Sequence, residues 1–115
     1  MKDISKTIHI NGKEYKLVFN LNVMQEIQQE FGSLDKWGKL TDGSTGEPNA
    51  RAVIYGFKAM LNEGIDISNE ENGTNEPLLT AKQAGRLVTG WSLAEATQAL
   101  NETIIESTKT DSKNG

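Results

Sequence analysis

A chain of 115 residues with a net charge of -4 suits a single domain, one that buries roughly two-thirds of its unfolded surface. It contains no cysteine, which excludes a disulfide framework, a thiolate metal site and thiol catalysis. Scattered lysines in an acidic background argue against a nucleic-acid surface, and no stretch approaches the length of a membrane span.

The first residues, MKDISKTIHI, lack the apolar run of a signal peptide. Residues 4–19 read as a β-hairpin, because Asn11 and Gly12 both tolerate the positive φ of a type I′ turn. That turn pairs Ile10 with Lys13, Ile8 with Tyr15, Lys6 with Leu17 and Ile4 with Phe19. Ile4, Ile8, Ile10, Tyr15, Leu17 and Phe19 then share one face, and Thr7, His9, Glu14 and Lys16 the other. Val18 falls off the apolar face and is expected to be exposed. A lone hairpin is marginal, so its apolar face is expected to sit on helices.

A first helix is expected next, with Asn22 and Gln25 as its capping box, an apolar stripe of Val23, Met24, Ile27 and Phe31, and Gly32 at its end. Ser33 caps a short second helix with Leu34, Trp37 and Leu40, and Thr41 to Glu47 form a loop. The most apolar stretch runs from Pro48 to Gly64. At 100° per residue it places Ala50, Val53, Ile54, Phe57, Met60 and Leu61 on one face. Ala52, Gly56 and Ala59 form a strip of little bulk beside that face, which suits the close approach of a neighbouring helix. The polar wedge is narrow and holds Arg51, Tyr55, Lys58 and Asn62. Such a helix should have packing neighbours on two sides: the hairpin and a later helix pair. Gly64 is expected to end it in the αL position.

Residues 65–77 are polar and are expected to form a mobile loop. Thr80 with Gln83 caps a fourth helix carrying Ala84, Leu87 and Val88, closed by Gly90. Ser92 with Glu95 caps a fifth carrying Leu93, Ala96, Leu100 and Ile104. After Ile105 the chain turns polar, and residues 107–115 are expected to be a disordered tail. The expected architecture is α+β: one domain over residues 1–106, an N-terminal antiparallel β-hairpin packed on a bundle of about five helices.

Chemistry is sparse. The sole histidine, His9, falls on the outward face of the hairpin, with no carboxylate pair spaced to make a metal site with it. Placing Gly73 at the sixth position of a calcium loop puts Leu79 where a bidentate glutamate is needed. Gly43 and Gly46 precede no Lys-Ser or Lys-Thr of a phosphate loop. Asn72-Gly73-Thr74 and Asn101-Glu102-Thr103 match the glycosylation sequon, a pattern common by chance. No catalytic constellation emerges, so the expectation is a non-enzymatic protein with no metal and no cofactor. Trp37, Tyr55 and Trp91 are amphipathic aromatics of the kind enriched at interfaces.

The order of these patterns adds a resemblance. A hairpin leading into INGKEYKLVFNLNVMQEIQQEFGSLDKW is followed by ARAVIYGFKAMLNEG, a polar insert and PLLTAKQAGRLVTGWSLAEATQALNETIIES. Over about residues 4–106 this resembles the tail assembly chaperones of long-tailed, siphovirus-type bacteriophages. The motifs that carry it are Gly12-Lys13 with Tyr15, Leu17 and Phe19, then Phe31-Gly32-Ser33, then Leu79-Thr80 with Gly85 and Leu87. The resemblance implies a protein of the host bacterial cytoplasm that is absent from the mature virion. It would bind the tape measure protein and assist tail tube polymerisation, without contact to nucleic acid or membrane. A longer form made by ribosomal frameshifting would recruit the tail tube protein. Many copies on one long client would act through avidity, and self-association would suit that arrangement. The alternative is a structural tail or head–tail connector subunit of the virion. A holdase for amphipathic helices needs adaptable apolar side chains. The candidates for partner binding are Tyr55, Ala59 and Met60 on the central helix and Leu100, Ile104 and Ile105 on the fifth.

Overall fold

The computed structural model describes residues 5–44, 46–90, 95 and 98–104. Strands β1 (Ser5–Ile10) and β2 (Lys13–Val18) form an antiparallel hairpin. Helices α1 (Leu21–Phe31), α2 (Leu34–Thr41), α3 (Ala50–Asn72) and α4 (Ala81–Thr89) follow, and residues 98–104 form a fifth helical stretch, α5. The fold is therefore α+β, a hairpin with five helices.

The hairpin turns on Asn11 (φ 54°) and Gly12 (φ 78°), and its register pairs Ile10 with Lys13, Ile8 with Tyr15 and Lys6 with Leu17, as the turn chemistry requires. Ile8, Ile10, Leu17 and Phe19 enter the core, while His9 stays exposed near Glu14. Ile4 lies outside the described residues. Val18 corrects the expectation of an exposed side chain, since only 6% of it is accessible. The cause is α3, which packs along β2 as well as against the hairpin face. The type I′ closure makes Thr7–Lys16 a non-hydrogen-bonded pair, so the Lys16 carbonyl points outward at the strand edge. Gly64 of α3 lies against that carbonyl, and a Cβ there would come within 2.7 Å of the oxygen.

Gly64 is thus an interior residue of α3, not its end. The helix runs 23 residues from the cap at Asn49 to Gly73, which holds the αL conformation at φ 65°. Residues 65–72 of the expected loop are therefore helix. The segment Thr74 to Thr80 turns back along α3 and is held by two asparagines seven residues apart. Asn69 Oδ1 accepts from the Glu76 amide at 3.0 Å while Asn69 Nδ2 donates to the Glu76 carbonyl at 3.0 Å. Asn62 does the same with Leu79, at 2.7 and 3.0 Å. Each side-chain amide replaces a backbone partner that this extended segment would otherwise lack.

Helix α1 also begins earlier than expected. Its cap is Asn20, whose side chain accepts from the Val23 amide, whereas Asn22 donates to Glu63 instead. Asn20 Nδ2 donates to the same Glu63 oxygen at 2.7 Å. Ser33 caps α2, and Thr80 with Gln83 forms the expected reciprocal box on α4. The Ser92–Glu95 box lies outside the described residues because Ser92 does, as do Trp91, Leu93, Ala96 and the tail.

The strip of Ala52, Gly56 and Ala59 receives an indole from α2 rather than one of the later helices. Trp37 is buried over it, its Nε1 donating to the Ala52 carbonyl at 3.0 Å, and a Cβ on Gly56 would lie 2.5 Å from Trp37 Cζ2. Thr41 and Thr103, the buried polar side chains of the described residues, bond back to helix carbonyls, so the core carries no unpaired polar atom there.

Candidate functional site

Helix α3 is packed by β2, α1, α2 and α4, and what remains open on its first half is Ala50 at its start, Ile54 at one edge, and a stripe of Arg51, Tyr55, Lys58 and Asn62. This is the narrow polar wedge expected from the helical period. Arg51 is exposed and the other three are half-buried.

Helix α1 forms one flank and runs antiparallel to α3. Asn20 and Asn22 reach Glu63, the Glu26 carbonyl accepts from the Tyr55 hydroxyl at 3.4 Å, and Glu30 pairs with Arg51. The Phe31 and Tyr55 rings meet edge to face with centroids 5.4 Å apart. The Arg51 guanidinium lies 5.1 Å from the Phe31 centroid, and Lys58 Nζ lies 5.4 Å from that of Tyr55. Partial burial raises the Tyr55 pKa above the usual tyrosine value of 10.0, reinforced by the charges of Glu26 and Glu30 and opposed by Arg51. The phenol therefore stays a neutral donor at any physiological pH. The stripe thus presents two rings with a cation near each, beside the paired carboxylates of Glu30 and Glu63.

Helix α4 forms the other flank. Gly85 abuts Ile54, where an added Cβ would just touch Ile54 Cδ1 at 3.4 Å. The Asn62–Leu79 and Ile54–Gly85 contacts together set α4 antiparallel to the first half of α3.

The expected partner-binding residues separate. Ala59, Met60 and Leu100 are buried in the core and offer no outward surface. Tyr55 and Ile104 are half-buried, each packed against the core from outside. Ile105 lies outside the described residues. Tyr55 is brought together with Phe31, Arg51 and Lys58. Phe31 and Ile54, the apolar parts of this surface, were read from the sequence as core. Their helical period is a core period, and only the neighbouring helices decide which edge of a stripe stays open. Leu21 and Leu78 are the exposed large apolar side chains of the described residues, at 74% and 51% accessibility.

Elsewhere, an open depression of about 210 Å³ is lined by Glu95, Gln98, Ala99 and Glu102. Lys6 Nζ lies 2.6 Å from Glu102 Oε1 at its edge. Among the described residues no three of His, Asp and Glu gather as metal ligands, and no helix is long and apolar enough to cross a membrane. Comparison with protein-family models, with curated proteins and with solved structures found no match for this chain.

Proposed function

We propose that this protein is a tail assembly chaperone of a long-tailed bacteriophage, a non-enzymatic holdase for the tape measure protein during tail tube growth. The observation that carries the reading is where the resembling motifs fall. Gly12-Lys13 closes the hairpin, Phe31-Gly32-Ser33 joins α1 to α2, and Leu79-Thr80 leads into the α4 cap, in the order of that family's pattern. The half-open aromatic and cationic stripe of α3 adds a surface of the residue types that recognition favours. Weak contacts of this kind suit a client engaged by many copies at once.

The test is co-expression with the tape measure protein that this reading expects to be encoded nearby. The chaperone reading expects the tape measure to be soluble with this chain and insoluble without it, with Tyr55→Ala weakening co-purification while the variant keeps its folded circular dichroism spectrum. Tape measure solubility that does not depend on this chain overturns the reading. So does stoichiometric recovery of the chain from purified virions, which is the result expected of a structural tail or connector subunit.

A further inference from the structure

Charge is segregated along this chain in a way the fold sharpens. The first half of α3, residues 50–62, and the whole of α4 carry Arg51, Lys58, Lys82 and Arg86 and no carboxylate. The next stretch, residues 65–77, carries Asp66, Glu70, Glu71 and Glu76 and no lysine or arginine.

The antiparallel seating of α4 brings the cations together. At the α3–α4 junction Ile54 meets Gly85. On α3 the residues one step toward solvent from Ile54 are Arg51 and Lys58; on α4 those one step outward from Gly85 are Lys82 and Arg86. Buried Ala84 and Val88 mark the opposite, inward side of Gly85. The junction is therefore a shallow groove with Ile54 in its floor and cations on both rims. Arg51 is held by Glu30, Lys58 lies over Tyr55, and Lys82 and Arg86 have no ion pair among the described residues.

Three of the carboxylates project from the far end of the same helix, and Glu76 follows in the segment that returns along it. Asp66, Glu70, Glu71 and Glu76 are all exposed and none has a salt bridge among the described residues. Asp66 and Glu70 are like charges one turn apart, and Glu70 and Glu71 stand in the last turn, where the helix dipole already gathers negative charge. No basic residue occupies that turn. Within one copy the arrangement is unfavourable at Asp66, Glu70 and Glu71.

We propose that the α3–α4 groove of one copy receives the acidic end of α3 from a second copy. The contact is head to tail: groove and acidic tip are different surfaces of one chain, so each copy in a chain of copies offers one of each. Complementary charge on both sides selects the occupant, and Ile54 supplies the apolar floor. This self-association does not depend on the chaperone reading and survives or fails separately from it.

Charge reversal with complementation tests it. Sedimentation velocity of the full chain should show mass rising with concentration beyond two copies at low salt. That mass should fall as salt shortens the screening length to about 10 Å at 0.1 M and below. The groove variant Lys82→Glu with Arg86→Glu should stay monomeric, as should the tip variant Glu70→Lys with Glu71→Lys, each with an unchanged circular dichroism spectrum. Mixed in equal amounts, the two variants should associate again, because each now complements the other at both junctions. A wild-type chain that stays monomeric at low salt overturns the proposal, as does a closed dimer indifferent to both reversals. Failure of the two folded variants to associate on mixing overturns it as well.

Discussion

Asn62 grips the backbone of Leu79 with both ends of its amide, accepting from the Leu79 N–H at 2.7 Å and donating to the Leu79 carbonyl at 3.0 Å. The pair joins the middle of α3 to the residue before the α4 cap, across seventeen positions of sequence. It does for the return segment what a neighbouring strand does for a sheet edge. Asn69 repeats the device two turns further on, against Glu76.

Replacing Asn62 by Asp keeps the shape and the acceptor but removes the donor and sets a carboxylate against the Leu79 carbonyl. We expect Asn62→Asp to destabilise the fold by about 1–3 kcal/mol, the cost of an unmade bond at a partly buried site. A lowered urea midpoint with faster exchange of the Leu79 amide is the measurement. Asn69→Asp, at the more exposed end of the helix, should cost less.

Two glycines in helices should respond in opposite directions to alanine. At Gly56 the new methyl would lie 2.5 Å from Trp37 Cζ2, and the indole is pinned by its bond to Ala52. Overpacking of about 1–3 kcal/mol should exceed any gain in helix propensity, so Gly56→Ala lowers the melting temperature. At Gly38 a Cβ meets nothing within 4 Å. There Gly38→Ala should stabilise by up to about 1 kcal/mol. Thermal unfolding of the two variants side by side decides the matter.

Glu102 should mark the acid limb of stability. The bond from Lys6, then that from Gln98, holds its carboxyl below the ordinary glutamate value of 4.5. A depressed folded pKa means the contribution is complete above the unfolded value and fades as pH falls through the folded one. Glu102→Gln should therefore lower stability modestly at neutral pH, where that contribution is complete, and flatten the further loss as pH falls below about 4.5. Carboxyl carbon shifts followed by NMR would report the titration directly. The pair is solvent-exposed, so added salt should weaken the effect.

Tyr55 titrates at the other extreme. In a Tyr15→Phe background, tyrosinate absorbance should appear above the ordinary value of 10.0. Because the folded pKa is raised, the neutral phenol contributes stability that is present below that value and lost as pH rises through the folded pKa. Exposure of the ring by Phe31→Ala should bring the titration down toward the usual value, since burial is the leading cause. Glu30→Gln should lower it less, and Arg51→Ala should raise it.

Local rules were legible from the residues alone. Asn11-Gly12 and the alternation around it determined the hairpin and its register, because side-chain period and turn geometry must agree. Ser33 and the Thr80–Gln83 box determined where α2 and α4 begin, since a cap satisfies amides within three residues of itself. The 3.6-residue period of α3 also defined its open stripe of Arg51, Tyr55, Lys58 and Asn62. Tertiary structure decided the rest. A glycine reads alike as a helix end or as a close approach, and only the Lys16 carbonyl makes Gly64 the second, moving the αL end to Gly73. An asparagine-rich run reads as loop until Asn62 and Asn69 find backbone to pair with. Val18, off the apolar face by alternation, is buried because α3 also packs along its strand. Met60 and Leu100 serve the core while Phe31 and Ile54 reach a surface, although all four lie on apolar stripes. Periodicity states which side of a helix is apolar; which edge of that side meets solvent depends on neighbours brought in from distant sequence.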